Sequence, residues 1–206
     1  LDATQGNNDI SPDRAVVSFN NGTSVIDRET KITAKENGIA FDVEYYKRDY
    51  PDGAKVTVDT TGTIIGNICF TNWDGDNPVA SEENKSTLII DNINHKGSII
   101  NDCRAKYNNN IKINGGTFTS NPKAIAPKNG TINAVTEGKE FSENSNSTYT
   151  VGNPAAAIVN DKYASLKAAM CYATTEDQTI ELAKNIVEDV KVDAEKKIVL
   201  DLRGNN

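Results

Sequence analysis

From Ala15 to about Val151 the apolar residues come in short β-branched runs and not at helical intervals. The runs are AVVSF, SVID, TKITA, KVTVD, TIIGNICF, STLIID, GSIIND, NIKI, GTINAV and TYTV. Each is bounded by Asn or Gly, and such a run reads as a strand of about four to six residues. Within the runs Ile32 and Ala34, Val56 and Val58, and Ile111 and Ile113 take one side, while Thr or Lys neighbours take the other. A period of two leaves one face of each strand dry.

The connections between runs admit two architectures. Asn21-Gly22, Asn37-Gly38, Asp52-Gly53 and Asn129-Gly130 are the dipeptides of tight antiparallel hairpins, and hairpins would build a β-sandwich. Polar corners also recur behind runs of similar length, at Gly66-Asn67, Asp91-Asn92, Asn108 to Asn110 and Asn114-Gly115. Corners of that kind stack coil upon coil in a solenoid, with Asn side chains hydrogen-bonded along the ladder. The pattern therefore predicts a mainly β chain wound as a parallel β-helix, with the sandwich as the alternative.

The grammar changes at Asn153. Pro154 and a short AAAIV strand lead to Asn160-Asp161, a candidate N-cap, after which Tyr163, Leu166, Ala169, Met170 and Ala173 share one helical face. One short α-helix is expected near residues 162–173, followed by a return to strands in TIELAKNIVEDVKVD and KKIVLDLRG. This divides the chain into β-helix coils over 1–152 and a strand-helix-strand unit over 153–206. A helix there would cover the open end of a sheet stack or open the next repeat.

Composition narrows the partners. Twenty-nine acidic against 22 basic residues, a net charge of -7, leave no basic footprint for nucleic acid or for an anionic membrane. No apolar run approaches the roughly 20 residues of a spanning helix, so membrane insertion is not expected. Heavy use of Asn, Thr, Gly and Ser with a single Met suits an extracellular repeat protein better than a cytosolic enzyme. Cys69, Cys103 and Cys171 have no metal-site spacing, and one His is too few for zinc. Buried thiols are the expectation, with a bridge between Cys69 and Cys103 left open.

The stretch AAAIVNDKYASLKAAMCYATTEDQTIELAKNIVEDVKVDAEKKIVLDLRGNN resembles the recurrent unit of large cell-surface proteins of gut Firmicutes. There a strand, a Tyr-x-x-Leu helix, a Thr-Ile-x-Leu strand and a Leu-Asp-Leu-x-Gly ending open a pectate-lyase-like right-handed β-helix. The preceding segment, with Gly115-Gly116-Thr117-Phe118 and the Thr148-Tyr149-Thr150-Val151 strand, is similar to the closing unit of the same proteins. The resemblance covers about half the chain. It implies a right-handed parallel β-helix, secreted or attached to the cell wall, in an adhesin-type protein that meets host proteins such as immunoglobulins. Independently of it, Leu1-Asp2 followed by Gly6-Asn7-Asn8 echoes Leu200-Asp201 followed by Gly204-Asn205-Asn206. That echo reads as one period of a tandem array of roughly 200 residues, with neighbouring repeats as partners.

Enzymes of this superfamily cleave acidic polysaccharides, so catalysis is the competing expectation. Asn94-His95-Lys96-Gly97-Ser98 faintly resembles a polygalacturonase-like His loop, and Asp74 and Asp76 offer two acids, but a full flanking pair is not found in order. Exposed loop residues are the expectation for both segments. Asp74, Asp76, Asn77, Glu82 and Glu83 supply oxygen ligands without the calcium-loop spacing, so neither a metal nor another cofactor is expected. The binding reading has better material: Tyr45, Tyr46, Arg48 and Tyr50 fall within EYYKRDYPDG, read as an outward loop, and Trp73 lies on another. Tyr, Trp and Arg dominate recognition hot spots because they bury large area and keep a polar handle. The expectation is a noncatalytic repeat binding a host protein or glycan through these residues, with a polysaccharide lyase or hydrolase and a plain structural spacer as alternatives.

Overall fold

Strict alternation along Ala54, Val56, Val58, Thr60, Gly62 and Ile64, buried, against Lys55, Asp59, Thr61 and Ile65, exposed, lets a single strand run for twelve residues and bury one face throughout. It belongs to a computed structural model that describes residues 1–4, 15–46, 48–73, 84–101, 110–127, 132–144, 146–158, 160–173, 177–192 and 196–206. The chain is mainly β, with one short helix among the described residues. It separates into two compact units, Leu1–Thr136 and Glu137–Asn206.

The first unit contains β1 (Asp2–Ala3), β2 (Val17–Phe19), β3 (Gly22–Arg28), β4 (Ile32–Ala34), β5 (Ile39–Tyr46), β6 (Ala54–Ile65), β7 (Asn67–Trp73), β8 (Thr87–Lys96), β9 (Ile99–Asn101), β10 (Ile111–Ile113), β11 (Gly116–Phe118) and β12 (Ala126–Pro127). One sheet has the order β1-β4-β6-β8-β11, with β3 also on β6 and β10 also on β8, and the other has β2-β5-β7-β9-β12. The chain alternates between the two, and among the described residues each ladder joining these strands is parallel. Successive layers therefore repeat side chains in register. Val17, Phe41, Ile68 and Ile99 form one row; Val56, Leu88 and Ile111 form another, and Ile32, Ile64, His95 and Phe118 a third. Apart from Val17 on the edge strand β2, every member of these rows is buried, so the core is built of matched rows.

Corners between the sheets keep the layers close. Gly66 (φ 118) would carry a Cβ 2.6 Å from that of Ala34, and Gly97 (φ 152) one 2.2 Å from the Gly66 carbonyl oxygen. No other residue fits either place. Asn67 ties three layers at once: its Nδ2 donates to the Asn37 carbonyl at 3.2 Å, and its Oδ1 accepts from the Ser98 amide at 3.0 Å. Asn92 donates likewise to the Thr60 carbonyl at 3.2 Å. The corner asparagines thus bond mainly to backbone one layer away, which satisfies groups that a tight corner would strand.

Three of the turn dipeptides read as hairpin signals join strands of different sheets: Asn21-Gly22 lies between β2 and β3, Asn37-Gly38 between β4 and β5, Asp52-Gly53 between β5 and β6. Asn129-Gly130 falls outside the described residues. KVTVD and the start of TIIGNICF are one strand, β6, because Thr60 and Gly62 continue the buried face; the Thr60 hydroxyl donates to the Arg28 and Thr30 carbonyls at 2.9 and 3.1 Å. Of the GTINAV run, the described residues 132–135 form isolated bridges at Ile132 and Val135 and no longer strand.

The second unit holds β13 (Glu140–Glu143) and β14 (Tyr149–Gly152) as an antiparallel pair, then β15 (Ala156–Ile158), β16 (Asp161–Tyr163), α1 (Leu166–Tyr172), β17 (Gln178–Leu182) and β18 (Ile198–Asp201). These last strands form a sheet in the order β16-β15-β17-β18, with only β17 and β18 parallel. Leu166, Ala169 and Ala173 pack on Ala156, Ile158, Ile180 and Leu182. The helix starts later than expected, because Asp161–Tyr163 pair with Ala156–Ile158 as a strand. Its cap is Ser165, whose hydroxyl accepts from the Ala168 amide at 3.1 Å, in place of Asn160-Asp161. The Glu188 carboxylate takes the Leu166 and Lys167 amides at 3.2 and 3.0 Å, and the Lys196 ammonium donates to the Met170 carbonyl at 3.0 Å. A seven-residue helix is thus closed at both ends by charges suited to its dipole.

Candidate functional site

Strand β5 sorts the aromatic cluster. Ile39, Phe41, Val43 and Tyr45 occupy its inward positions and are no more than 1% exposed. Tyr45 therefore lies in the core, 0% exposed, and does not stand on an outward loop. The physical reason is the period of two, which continues through Tyr45 and carries its ring inside. Its hydroxyl remains satisfied by donating to the Pro51 carbonyl at 3.3 Å.

Tyr46, one residue on, is the half-buried end of the opposite face. The turn that follows folds back on it: the Tyr50 amide donates to the Tyr46 carbonyl at 2.8 Å, and the Gly53 amide to the Tyr50 carbonyl at 3.1 Å. Gly53 (φ 67) closes the turn where a Cβ would come within 2.7 Å of the Ser86 amide nitrogen. The result brings three expected residues together. The Tyr46 and Tyr50 rings lie 6.5 Å apart at 51°. The Arg48 guanidinium carbon is 5.1 Å from the Tyr46 ring centroid, and its Nη2 donates to the Tyr46 hydroxyl. Asp49 pairs with Arg48 at 3.3 Å, with both side chains largely in solvent; such a pair contributes little to stability but holds the guanidinium in place.

Trp73 ends β7, and the register makes it the Cα partner of Tyr46. The fifth expected residue is therefore on the strand next to the cluster; its side chain lies outside the described residues. Behind the cluster on the same face of β5, Asp42 is 1% exposed, and the Thr71 hydroxyl donates to its Oδ1 and Oδ2 at 3.1 and 3.3 Å. Sequence reasoning missed this buried pair. Its signal was an acid placed between Phe41 and Val43 in a period-two run.

His95 is not an exposed loop residue. It sits on β8, 1% exposed, in the row with Ile64 and Phe118, its ring 6.2 Å from that of Phe118. Nε2 donates to the Gly66 carbonyl at 2.8 Å, leaving Nδ1 buried without a hydrogen-bond partner. Burial pushes its pKa down to about 4 against the opposing pull of the Gly66 bond. The imidazole thus packs in a core row and makes a corner hydrogen bond. Asp74, Asp76, Asn77, Glu82 and Glu83, with the calcium question they raised, lie outside the described residues, as does Cys103 and hence any bridge to the buried Cys69. Among the described residues no group of three or more His, Cys, Asp or Glu is placed to hold a metal ion, and no helix is long and apolar enough to cross a membrane.

The arrangement offers two phenol rings and a planar five-donor cation at one strand end, with an indole-bearing residue on the neighbouring strand. That chemistry stacks on sugar rings or on protein side chains and donates to carboxylate or carbonyl oxygens. Comparison with protein-family models, with curated proteins and with solved structures gives no match.

Proposed function

We propose that the chain is a noncatalytic binding repeat of a secreted cell-surface protein, built as a right-handed parallel β-helix, that recognises a host protein such as an immunoglobulin, or a glycan. The recognition surface is the cluster of Tyr46, Arg48 and Tyr50 with Trp73, and Tyr45 is its buried support. One observation carries the reading: the turn after β5 gathers two tyrosines and an arginine at the end of a strand whose other face is fully committed to the core.

The β-helix form is supported by parallel ladders throughout the first unit, by alternation between two sheets, and by rows that repeat in register. A right-handed winding is supported by the general rule that crossovers between parallel strands of one sheet take that hand in about 98% of cases. Strands β5, β7, β9 and β12 run parallel in one sheet, so their C-terminal residues, Tyr46 and Trp73 among them, lie along one side of that sheet. A rigid sheet that presents successive strand ends together is a common way to build a recognition face.

The test is titration of purified secretory immunoglobulin and of mucin-type glycans against the wild type and against Tyr46→Ala, Tyr50→Ala and Trp73→Ala. Hot-spot truncation by about 2 kcal/mol weakens binding roughly thirtyfold. Binding that survives all three substitutions contradicts the assignment of the surface. No binding to either ligand class favours the spacer reading, and turnover of an acidic polysaccharide favours the enzyme.

A further inference from the structure

Strand β18 lies at the edge of its sheet, paired on one side with β17. Val199, Leu200 and Leu202 are 48%, 43% and 46% exposed there, an unusual cost for an edge strand. Three observations identify what that edge fits.

The first is the sequence echo between Leu1-Asp2 and Leu200-Asp201. The second is local geometry. The Thr4 amide donates to Asp2 Oδ1 at 3.0 Å, and the Arg203 amide donates to Asp201 Oδ1 at 2.9 Å. Both strands end in the same Asx turn at the matched positions.

The third is hydrogen-bond phase. In a strand, alternate residues direct their amide and carbonyl groups to opposite sides. The Ala183 amide donates to the Ala155 carbonyl at 3.0 Å, so the odd-numbered residues of β17 face β15 and the even ones face β18. Parallel pairing of Ile180 with Leu200 then turns Val199 and Asp201 toward β17 and Leu200 toward the open edge; Leu202 follows the strand, its carbonyl accepting from the Asn205 amide at 2.7 Å. At the other end of the chain, the Leu1 amine donates to the Lys31 carbonyl at 2.9 Å, and the Thr33 amide to the Leu1 carbonyl at 2.9 Å. Leu1 spends on β4 the groups that its counterpart Leu200 directs to the open edge.

We infer that the open edge of β18 is a docking edge for β4 of a second copy of this chain, the shared strand acting as β18 of one copy and β1 of the next. The register follows from that of β1, where Asp2 and Ala3 face Thr33 and Ala34. Asp201 stands opposite Thr33 of the second copy and Leu202 opposite Ala34. The Leu200 amide donates to the Lys31 carbonyl, and its carbonyl accepts from the Thr33 amide. The inference deepens the repeat part of the proposed function and is independent of the aromatic cluster, so loss of ligand binding leaves it standing.

The experiment compares amide hydrogen exchange in the single chain with that in a tandem protein in which residues 1–206 run directly into residues 9–206, so that one strand is shared. In the single chain Leu200 exchanges as an open edge does. In the tandem its exchange slows by at least about a hundredfold, together with protection of Thr33 in the second copy. Ladder amides of β6 and β8 report folding of each copy separately. An unchanged Leu200 in a folded tandem overturns the inference. So does a tandem whose second copy fails to fold where the single chain folds.

Discussion

The two units solve the same problem with different means. In Leu1–Thr136 the rows are made of Ile, Val, Leu and Phe, with His95 in one of them, and among the described residues few large apolar side chains are left outside, Val25 and Ile65 among them. In Glu137–Asn206 the sheet core is largely Ala with a few Ile and Leu, and Tyr172, Val187, Val190, Val192, Val199, Leu200 and Leu202 remain exposed. Each in-register row of the first unit buries apolar side chains against those of the neighbouring strand. A four-stranded sheet with one short helix has fewer such rows, relies on individual caps, and leaves Val199, Leu200 and Leu202 exposed.

That contrast is open to attack at specific residues. Tyr45→Ala removes a wholly buried ring from the stack and is expected to cost about 4 kcal/mol, as aromatic truncations in tight cores do; urea unfolding followed through first-unit signals measures it. A loss below about 1 kcal/mol would mean that the rows are loosely packed. His95 has the next effect. Its folded pKa of about 4 lies below the unfolded value of 6.5, so between these values the unfolded chain binds more protons. Stability is complete above pH 6.5 and falls as the pH drops toward 4, by roughly 3 kcal/mol in all. His95→Gln should flatten this part of the pH dependence; an unchanged slope would assign it to carboxylates.

In the second unit Ser165→Ala should cost about 1 kcal/mol through loss of the helix cap, with hydrogen exchange rising in α1 and not in β6. Comparable rises in both would show that the units unfold as one. The smallest effect is expected at the outward cluster, where Tyr46→Ala should change stability by no more than about 0.5 kcal/mol.

Much of the first unit was legible in the sequence because its signal is local. Period-two runs such as Lys55 to Asp59 and Ile111 to Ile113 mark strands without reference to anything distant, and Asn67 at a corner announces its bonds to adjacent layers. Strand β5 was not read, although Ile39, Phe41, Val43 and Tyr45 alternate as cleanly as any run. Asp42 and Glu44 gave the segment a loop's polarity, and the cost of burying Asp42 is met by Thr71, 29 residues away. That misreading moved Tyr45 to the surface. The helix start slipped for a similar reason: Asn160-Asp161 is a reasonable local cap, but pairing with β15 decides where residues 161–163 go. Of the aromatic cluster, the residue types were legible; the division between Tyr45 and Tyr46 needed the strand.

The measurement that bears most directly on the account is a crossed comparison of these two adjacent tyrosines, in which unfolding free energy and immunoglobulin affinity are determined for Tyr45→Phe, Tyr45→Ala and Tyr46→Ala. The account predicts that Tyr45→Ala lowers stability by about 4 kcal/mol. It predicts that Tyr45→Phe, which keeps the ring and loses the Pro51 bond, costs about 1 kcal/mol and leaves affinity unchanged. Tyr46→Ala should lower affinity by at least about tenfold at unchanged stability. Stability and affinity moving together at both positions, or affinity tracking Tyr45→Phe, would contradict a strand end at which Tyr45 serves the core and Tyr46 serves recognition.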